Sequence, residues 1–112
     1  MTEKMTGAKF MVLAQLQARY GKELRKEFRF CPNRKFRADY YVPSLNVLIE
    51  YEGVYSQTSR HTSLTGYAND CEKYNIAQIM GYKVLRYTAK NYRQLTADLE
   101  RLEEDLKTGG TD

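Results

Sequence analysis

Glycine and proline are scarce, nine residues together in a chain of 112, and histidine and cysteine are scarcer, with one His and two Cys. With 42% apolar and 29% charged residues, this leaves a globular composition and excludes fibrous and disordered classes. No CxxC or HxxxH spacing exists, so a usual structural zinc site is excluded. Long apolar runs are also missing: none approaches the roughly 18 residues a membrane span needs. The first residues lack the apolar core of a secretory signal. These absences predict a chain with no membrane partner in a reducing cytosol, with Cys31 and Cys71 as buried thiols rather than a disulfide. The length suits a single core, and no repeat interrupts it, so residues 1–112 read as one domain.

Positive charge is present and unevenly spread. Residues 1–48 carry a net +6, residues 49–96 a net +2 and residues 97–112 a net −4. The excess peaks at Lys22, Arg25, Lys26, Arg29, Arg34, Lys35 and Arg37. Such a cluster attracts a polyanion, or serves only as a solvated basic face.

The hydrophobic pattern alternates between the helical and the extended period. Phe10, Leu13, Ala14, Leu16 and Tyr20 form a helical stripe over 9–20 that Gly21 closes. Lys26–Cys31 alternates charge with Phe28 and Phe30 and reads as a strand ended by Pro32-Asn33. Phe36–Val42 and Val47–Glu52 read as an antiparallel hairpin around Pro43–Asn46. Residues 53–66, rich in Ser and Thr, read as an exposed loop of a length that is often functional. A second helix is expected over Tyr67–Met80, with Asn69 or Asp70 as its N-cap and Gly81 as its stop. Lys83–Thr88 reads as a strand. Tyr92, Leu95, Leu99, Leu102 and Leu106 mark a C-terminal amphipathic helix that covers its own sheet or, alternatively, serves a dimer. The predicted order is αβββαβα, an α/β fold with a mixed four-stranded sheet.

Strand alternation puts Arg37, Asp39 and Tyr41 on one face of the second strand and Leu48, Glu50 and Glu52 on one face of the third. A hairpin centred between Ser44 and Leu45 sets Asp39 opposite Glu50 and Arg37 opposite Glu52. Two carboxylates that close repel unless something neutralises them. A hard divalent cation such as Mg²⁺ does so with one or two carboxylates, waters and substrate phosphate oxygens. Pairing with Arg37 or Lys73 on a wet sheet face is the other reading. Asp70 and Lys73 are i,i+3 neighbours on the second helix. They are either a cap and a surface charge, or a cation brought to the acids, where Glu52 accepts a proton from water.

The strings Arg37-Ala38-Asp39, Ile49-Glu50-Tyr51-Glu52-Gly53, Asp70-Cys71-Glu72-Lys73 and Gly81-Tyr82-Lys83-Val84-Leu85-Arg86 resemble the PD-(D/E)XK nuclease superfamily. The likeness is nearest to small stand-alone endonuclease-like proteins of phages and bacteria, in the branch holding the very-short-patch-repair endonucleases, and it spans residues 26–92. It implies a restriction-endonuclease-like αβββαβ core flanked by helices, to which the C-terminal helix is an addition. It further implies a DNA endonuclease that uses Mg²⁺ or Mn²⁺, with Asp39 and Glu50 as metal ligands, in the bacterial cytoplasm if phage-encoded. Two departures stand out: Ala38 replaces the motif proline, and Glu52 replaces the motif lysine, a Glu-x-Glu variant. Either Glu52 itself handles the water or Lys73 supplies the missing cation. Arg60-His61 followed by Gly66-Tyr67 resembles the loop of the phage relatives, which implies that His61 assists the chemistry or contacts phosphate; alone, a His in a polar loop is a surface residue. DNA contacts are expected from Arg29, Arg34, Lys35, Arg37 and Arg60. Tyr51, Tyr55 and Tyr67 either stack on bases of an opened substrate or pack the rim. Cutting both strands calls for a homodimer. The competing expectations are a non-catalytic nucleic-acid-binding module on the same fold and an RNA-directed nuclease.

Overall fold

A computed structural model describes residues 7–53 and 64–109. These described residues form an α/β fold of three helices around a four-stranded mixed sheet. Helix α1 (Gly7–Tyr20) runs into a 3-10 turn at Gly21–Glu23. Gly21 has φ +56°, a conformation that ends the α-helix at no side-chain cost. Val12 and Leu16, one turn apart, are the residues of α1 that become fully buried. The expected stripe differs at one position: Phe10 stays more than half exposed because Val12 takes the central line of contact.

Strands β1 (Arg25–Arg29), β2 (Arg37–Val42) and β3 (Val47–Tyr51) form an antiparallel meander, and β4 (Lys83–Tyr87) adds parallel to β3. The turn between β2 and β3 is held by Leu45 N–H to Val42 C=O and Asn46 N–H to Pro43 C=O. Asn46 has φ 53°, a left-handed conformation that Asn tolerates better than most residues. Its side chain accepts from Tyr41 Oη at 2.8 Å and donates to Gly81 C=O at 3.0 Å, joining the hairpin to the end of the second helix. The pairs Tyr40–Ile49, Tyr41–Leu48 and Val42–Val47 are those that a hairpin centred between Ser44 and Leu45 requires.

Helix α2 (Leu64–Ile79) begins earlier than the sequence predicts. Asn69 and Asp70 therefore lie inside the helix rather than at its cap, and Leu64–Gly66, expected in the loop, is helical. Its C-terminus is as expected. Gly81 has φ +95°, and Gly81 N–H and Tyr82 N–H close back on Gln78 and Ala77 carbonyls. Helix α3 (Leu95–Lys107) follows a 3-10 turn at Tyr92–Gln94.

The two faces of the sheet bury different clusters. On one face, Tyr40, Val42, Val47, Ile49 and Tyr87 meet Val12 and Leu16 of α1 and Leu95 and Leu99 of α3. The C-terminal leucines thus pack largely on their own sheet, with Leu106 left exposed. Arg19 and Tyr20 of α1 both donate to Glu103 of α3 at 2.7 Å, tying the two helices together. On the other face, Leu48 and Ala38 meet Phe30, Cys31 and Ala77, with Phe28, Tyr41 and Tyr82 in ring contact at their edge. Ala77 is the one fully buried residue of α2, and Ile79, expected in its apolar stripe, is exposed. Cys31 is buried as expected; Cys71 is exposed, because it lies on the side of α2 turned from the sheet core. Among the described residues no helix is long and apolar enough to cross a membrane.

Candidate functional site

The candidate site is assembled where β2 parts from β3 while it stays paired with β1. Glu27 of β1, facing Asp39 in the register of the two strands, has φ 52°. That is a conformation costing a non-glycine residue about 1–2 kcal/mol. The Glu27–Asp39 pair is absent from the β1–β2 ladder, and the β2–β3 ladder ends at Tyr40–Ile49. At that position the Asp39 side chain replaces the backbone: Oδ2 accepts from Tyr51 N–H at 2.8 Å. Strain of this kind collects at functional positions, where surrounding structure holds it.

Glu50 is the last buried residue of β3 on the α2 face, 8% exposed beyond Leu48. Lys73 of α2 reaches it, Nζ to Oε2 at 3.0 Å, with both side chains largely buried. Burial pushes the Glu50 carboxyl up to about 7, against the attraction of Lys73 and with added repulsion from Asp39 and Glu52. A carboxyl held near neutrality can exchange a proton with water under ordinary conditions.

Glu52 follows on the same face, as the alternation predicts, but its partner is not Arg37. Arg86 of β4 donates Nε to Glu52 Oε2 at 2.8 Å, and Tyr74 Oη lies 3.3 Å from the same oxygen. Arg37 instead is exposed at the start of β2, 3.6 Å from Glu27. Two cations lie against the Tyr74 ring, Arg86 Cζ at 4.1 Å and Lys73 Nζ at 5.3 Å from its centroid. Burial, reinforced by Glu50 and Glu52, holds the Tyr74 phenol far above its usual range, so it stays a donor.

Arg86 and Tyr74 are residues to which the sequence reading assigned no function. Arg86 closes the Gly81–Arg86 segment, where strand alternation from Val84 puts it on the α2 face, and Tyr74 is hidden in an apolar helical stripe. Asp70 lies on α2 one turn before Lys73 and Tyr74. It lines a cleft of about 490 Å³ with Glu52, Tyr67, Cys71, Tyr74, Asn75 and Arg86. A smaller cleft of about 280 Å³ opens beside Asp39, lined by Lys9, Leu13, Lys26, Glu27 and Tyr40. Arg29 of β1, Arg34 and Lys35 of the turn after it, and Arg37 at the start of β2 are all exposed. Arg34 is partly neutralised by Glu72 at 2.7 Å. Tyr51 packs against the core, and Tyr67 is 60% exposed. Tyr55, Arg60 and His61 lie outside the described residues.

The donor set suits a hard cation. Asp39 and Glu50 offer carboxylate oxygens and no soft ligand, and a buried, partly compensated acid gains from an added positive charge. Among the described residues no group of three His, Cys, Asp or Glu side chains converges. Two carboxylates are the protein share that Mg²⁺ commonly uses, the remainder being water and substrate oxygens. Compared with protein-family models, curated proteins and solved structures, the chain matches none. The class defined by the fold is therefore the general one, an α/β protein whose described residues form a mixed four-stranded sheet and three helices.

Proposed function

We propose that the protein is a Mg²⁺- or Mn²⁺-dependent DNA endonuclease of PD-(D/E)XK type, with a restriction-endonuclease-like core. One observation carries the reading: Glu50, an acid buried at the end of the central strand, lies beside Lys73 and close enough to Asp39 and Glu52 for their charges to raise its pKa. Burying an acid next to like charges is unfavourable for a merely structural role.

Asp39 and Glu50 would hold the metal. When bound, the ion polarises a phosphoryl oxygen and lowers the pKa of a water ligand. Lys73, rather than Glu52, takes the part of the missing motif lysine, because its ammonium already reaches the Glu50 carboxylate and can face the charge that builds on phosphate. Glu52 positions Arg86 and Tyr74 along the wall of the larger cleft. Arg29, Lys35 and Arg37 supply sequence-independent attraction to the DNA backbone, which weakens steeply with salt. Arg34 contributes less while paired with Glu72. Cutting both strands would take two copies related by a twofold axis.

Asp39→Ala tests the reading against cleavage of plasmid, mismatched and branched DNA with Mg²⁺. A loss of at least about a hundredfold is expected, of the order of removing one preorganised charge from a transition state. Cleavage at the wild-type rate overturns it. A second reading, a nucleic-acid-binding module without catalysis, draws on one observation: Lys73 and Arg86 already neutralise Glu50 and Glu52 internally. It predicts metal-independent DNA binding and no cleavage with any divalent ion.

A further inference from the structure

Arg29, Lys35 and Arg37 all stand on one side of the acids. β1 ends at Arg29, which pairs with Arg37 at the start of β2. Because β2 is antiparallel to β3, this pair lies at the end of the sheet where β3 finishes at Tyr51. β4, parallel to β3, finishes there too, at Tyr87. The strand order β1-β2-β3-β4 sets Arg29 at one edge of that end and the strands of Asp39 and Glu50 in the middle. At the other edge stands the turn that follows β4, and it carries Lys90 and Arg93.

Hydrogen bonds fix the shape of this turn. Asn91 Oδ1 accepts from Thr88 N–H at 2.6 Å and from Thr88 Oγ1 at 3.0 Å, and Thr88 Oγ1 accepts from Lys90 N–H at 3.1 Å. Asn91 N–H and Tyr92 N–H both return to the Thr88 carbonyl. Side chains that bond their own backbone in this way hold a turn in one conformation. The guanidinium of Arg93 lies 4.9 Å from the centroid of the Tyr92 ring, and that ring packs against the core. Lys90 and Arg93 are both exposed, and among the described residues neither has a carboxylate within ion-pair distance. Their charge is therefore available to an anion from outside.

We propose that a DNA strand crosses this end of the sheet, held at one edge by Arg29 and Arg37 and at the other by Lys90 and Arg93, with Asp39 and Glu50 beneath its middle. The proposal rests on the nuclease reading for its choice of DNA. Three strand spacings of about 4.8 Å set β1 and β4 about 14 Å apart. Charges recur about every 3.4 Å along one DNA strand, so the crossing covers about four phosphates, the scissile one among the central pair. Cations on both flanks also answer an electrostatic difficulty. Carboxylates repel a phosphate, and a strand gripped at one edge alone would swing away from them. Gripped at both edges, it stays over the acids in the geometry that attack by water requires.

Fluorescence anisotropy of a labelled DNA duplex of about 20 base pairs, in EDTA and between about 50 and 200 mM NaCl, tests it without any strand being cut. Lys90→Ala and Arg93→Ala should each make the slope of log affinity against log salt shallower by about 0.9, and the double variant by about twice that. At about 0.1 M salt each lost contact amounts to about eightfold weaker binding. Lys90→Arg should keep the wild-type slope. Lys107→Ala removes the same charge from the far end of α3 and should leave the slope unchanged, which separates a contact from a change in net charge. A wild-type slope in the double variant, or an equal loss in Lys107→Ala, overturns the proposal. Slopes that fall as expected without cleavage in Mg²⁺ would overturn the nuclease reading alone. Cleavage in Mg²⁺ with a wild-type slope in the double variant would overturn this proposal alone, and no salt-dependent binding by wild type would overturn both.

Discussion

Replacing Glu50 with Gln removes one titration from the interior while keeping the side chain's size. In the unfolded chain this carboxyl titrates near its ordinary 4.5, and in the fold burial pushes it up to about 7. A carboxyl raised in this way favours the protonated fold. Its contribution is fully present below pH 4.5 and is lost as the pH climbs through about 7. The interval is worth about 3 kcal/mol at ~1.36 kcal/mol per pH unit. That is a large part of the ~5–15 kcal/mol that holds a typical domain together. Urea unfolding of wild type and Glu50→Gln at pH 4 and pH 8 isolates it together with its coupling to Lys73, Asp39 and Glu52, because titrations distant from Glu50 cancel in the double difference. Relative to wild type, the Gln variant should gain about 3 kcal/mol between the two pH values, whatever its baseline. Added Mg²⁺ then separates a ligand from a mere buried acid. At about ten times the dissociation constant it should restore about 1.4 kcal/mol to wild type at pH 8 and nothing to Glu50→Gln. A stability difference that is the same at both pH values refutes the reasoning about burial, and an equal Mg²⁺ effect on both proteins refutes the assignment of Glu50 as a ligand.

Two further outcomes test the fold. Leu99→Ala opens a cavity beneath α3, where Leu99 is fully buried, and should cost about 2–5 kcal/mol in urea unfolding; a cost below about 1 kcal/mol would mean that α3 does not pack as described. Native protein treated with a thiol reagent should label quickly at Cys71 alone, with Cys31 reacting only after unfolding. Equal native rates for the two would contradict the placement of α2.

The element order was legible because the apolar period switches cleanly between 3.6 and 2, and because Gly21 and Gly81 each stand where a left-handed residue stops a helix. The hairpin register was legible for a related reason: a four-residue connection around Asn46 leaves little freedom, and a one-residue slip would turn Val47 and Ile49 out of the core. The start of α2 was not, since Leu64-Thr65-Gly66 looks like a continuation of the Ser/Thr-rich stretch before it. Nor was the exposure of Cys71, because α2 buries so little that its own pattern scarcely says which side meets the sheet.

The site divides the same way. Glu50 and Glu52 share a face as alternation requires, and Lys73 reaches Glu50, one of the two readings the spacing left open. The partner of Glu52 was invisible because Arg86 arrives from β4, thirty-four residues away, through a parallel pairing that no local pattern encodes. Asp39 turning to the Tyr51 amide was equally hidden, since it depends on the ladder ending at Tyr40 and on the left-handed Glu27 opposite.

Anomalous diffraction from a crystal soaked in Mn²⁺ addresses the metal assignment directly. The account predicts a peak within coordination distance of carboxylate oxygens from both Asp39 and Glu50, lost in Asp39→Ala. A map with no peak between those oxygens, while Lys73 keeps its hold on Glu50, would contradict it.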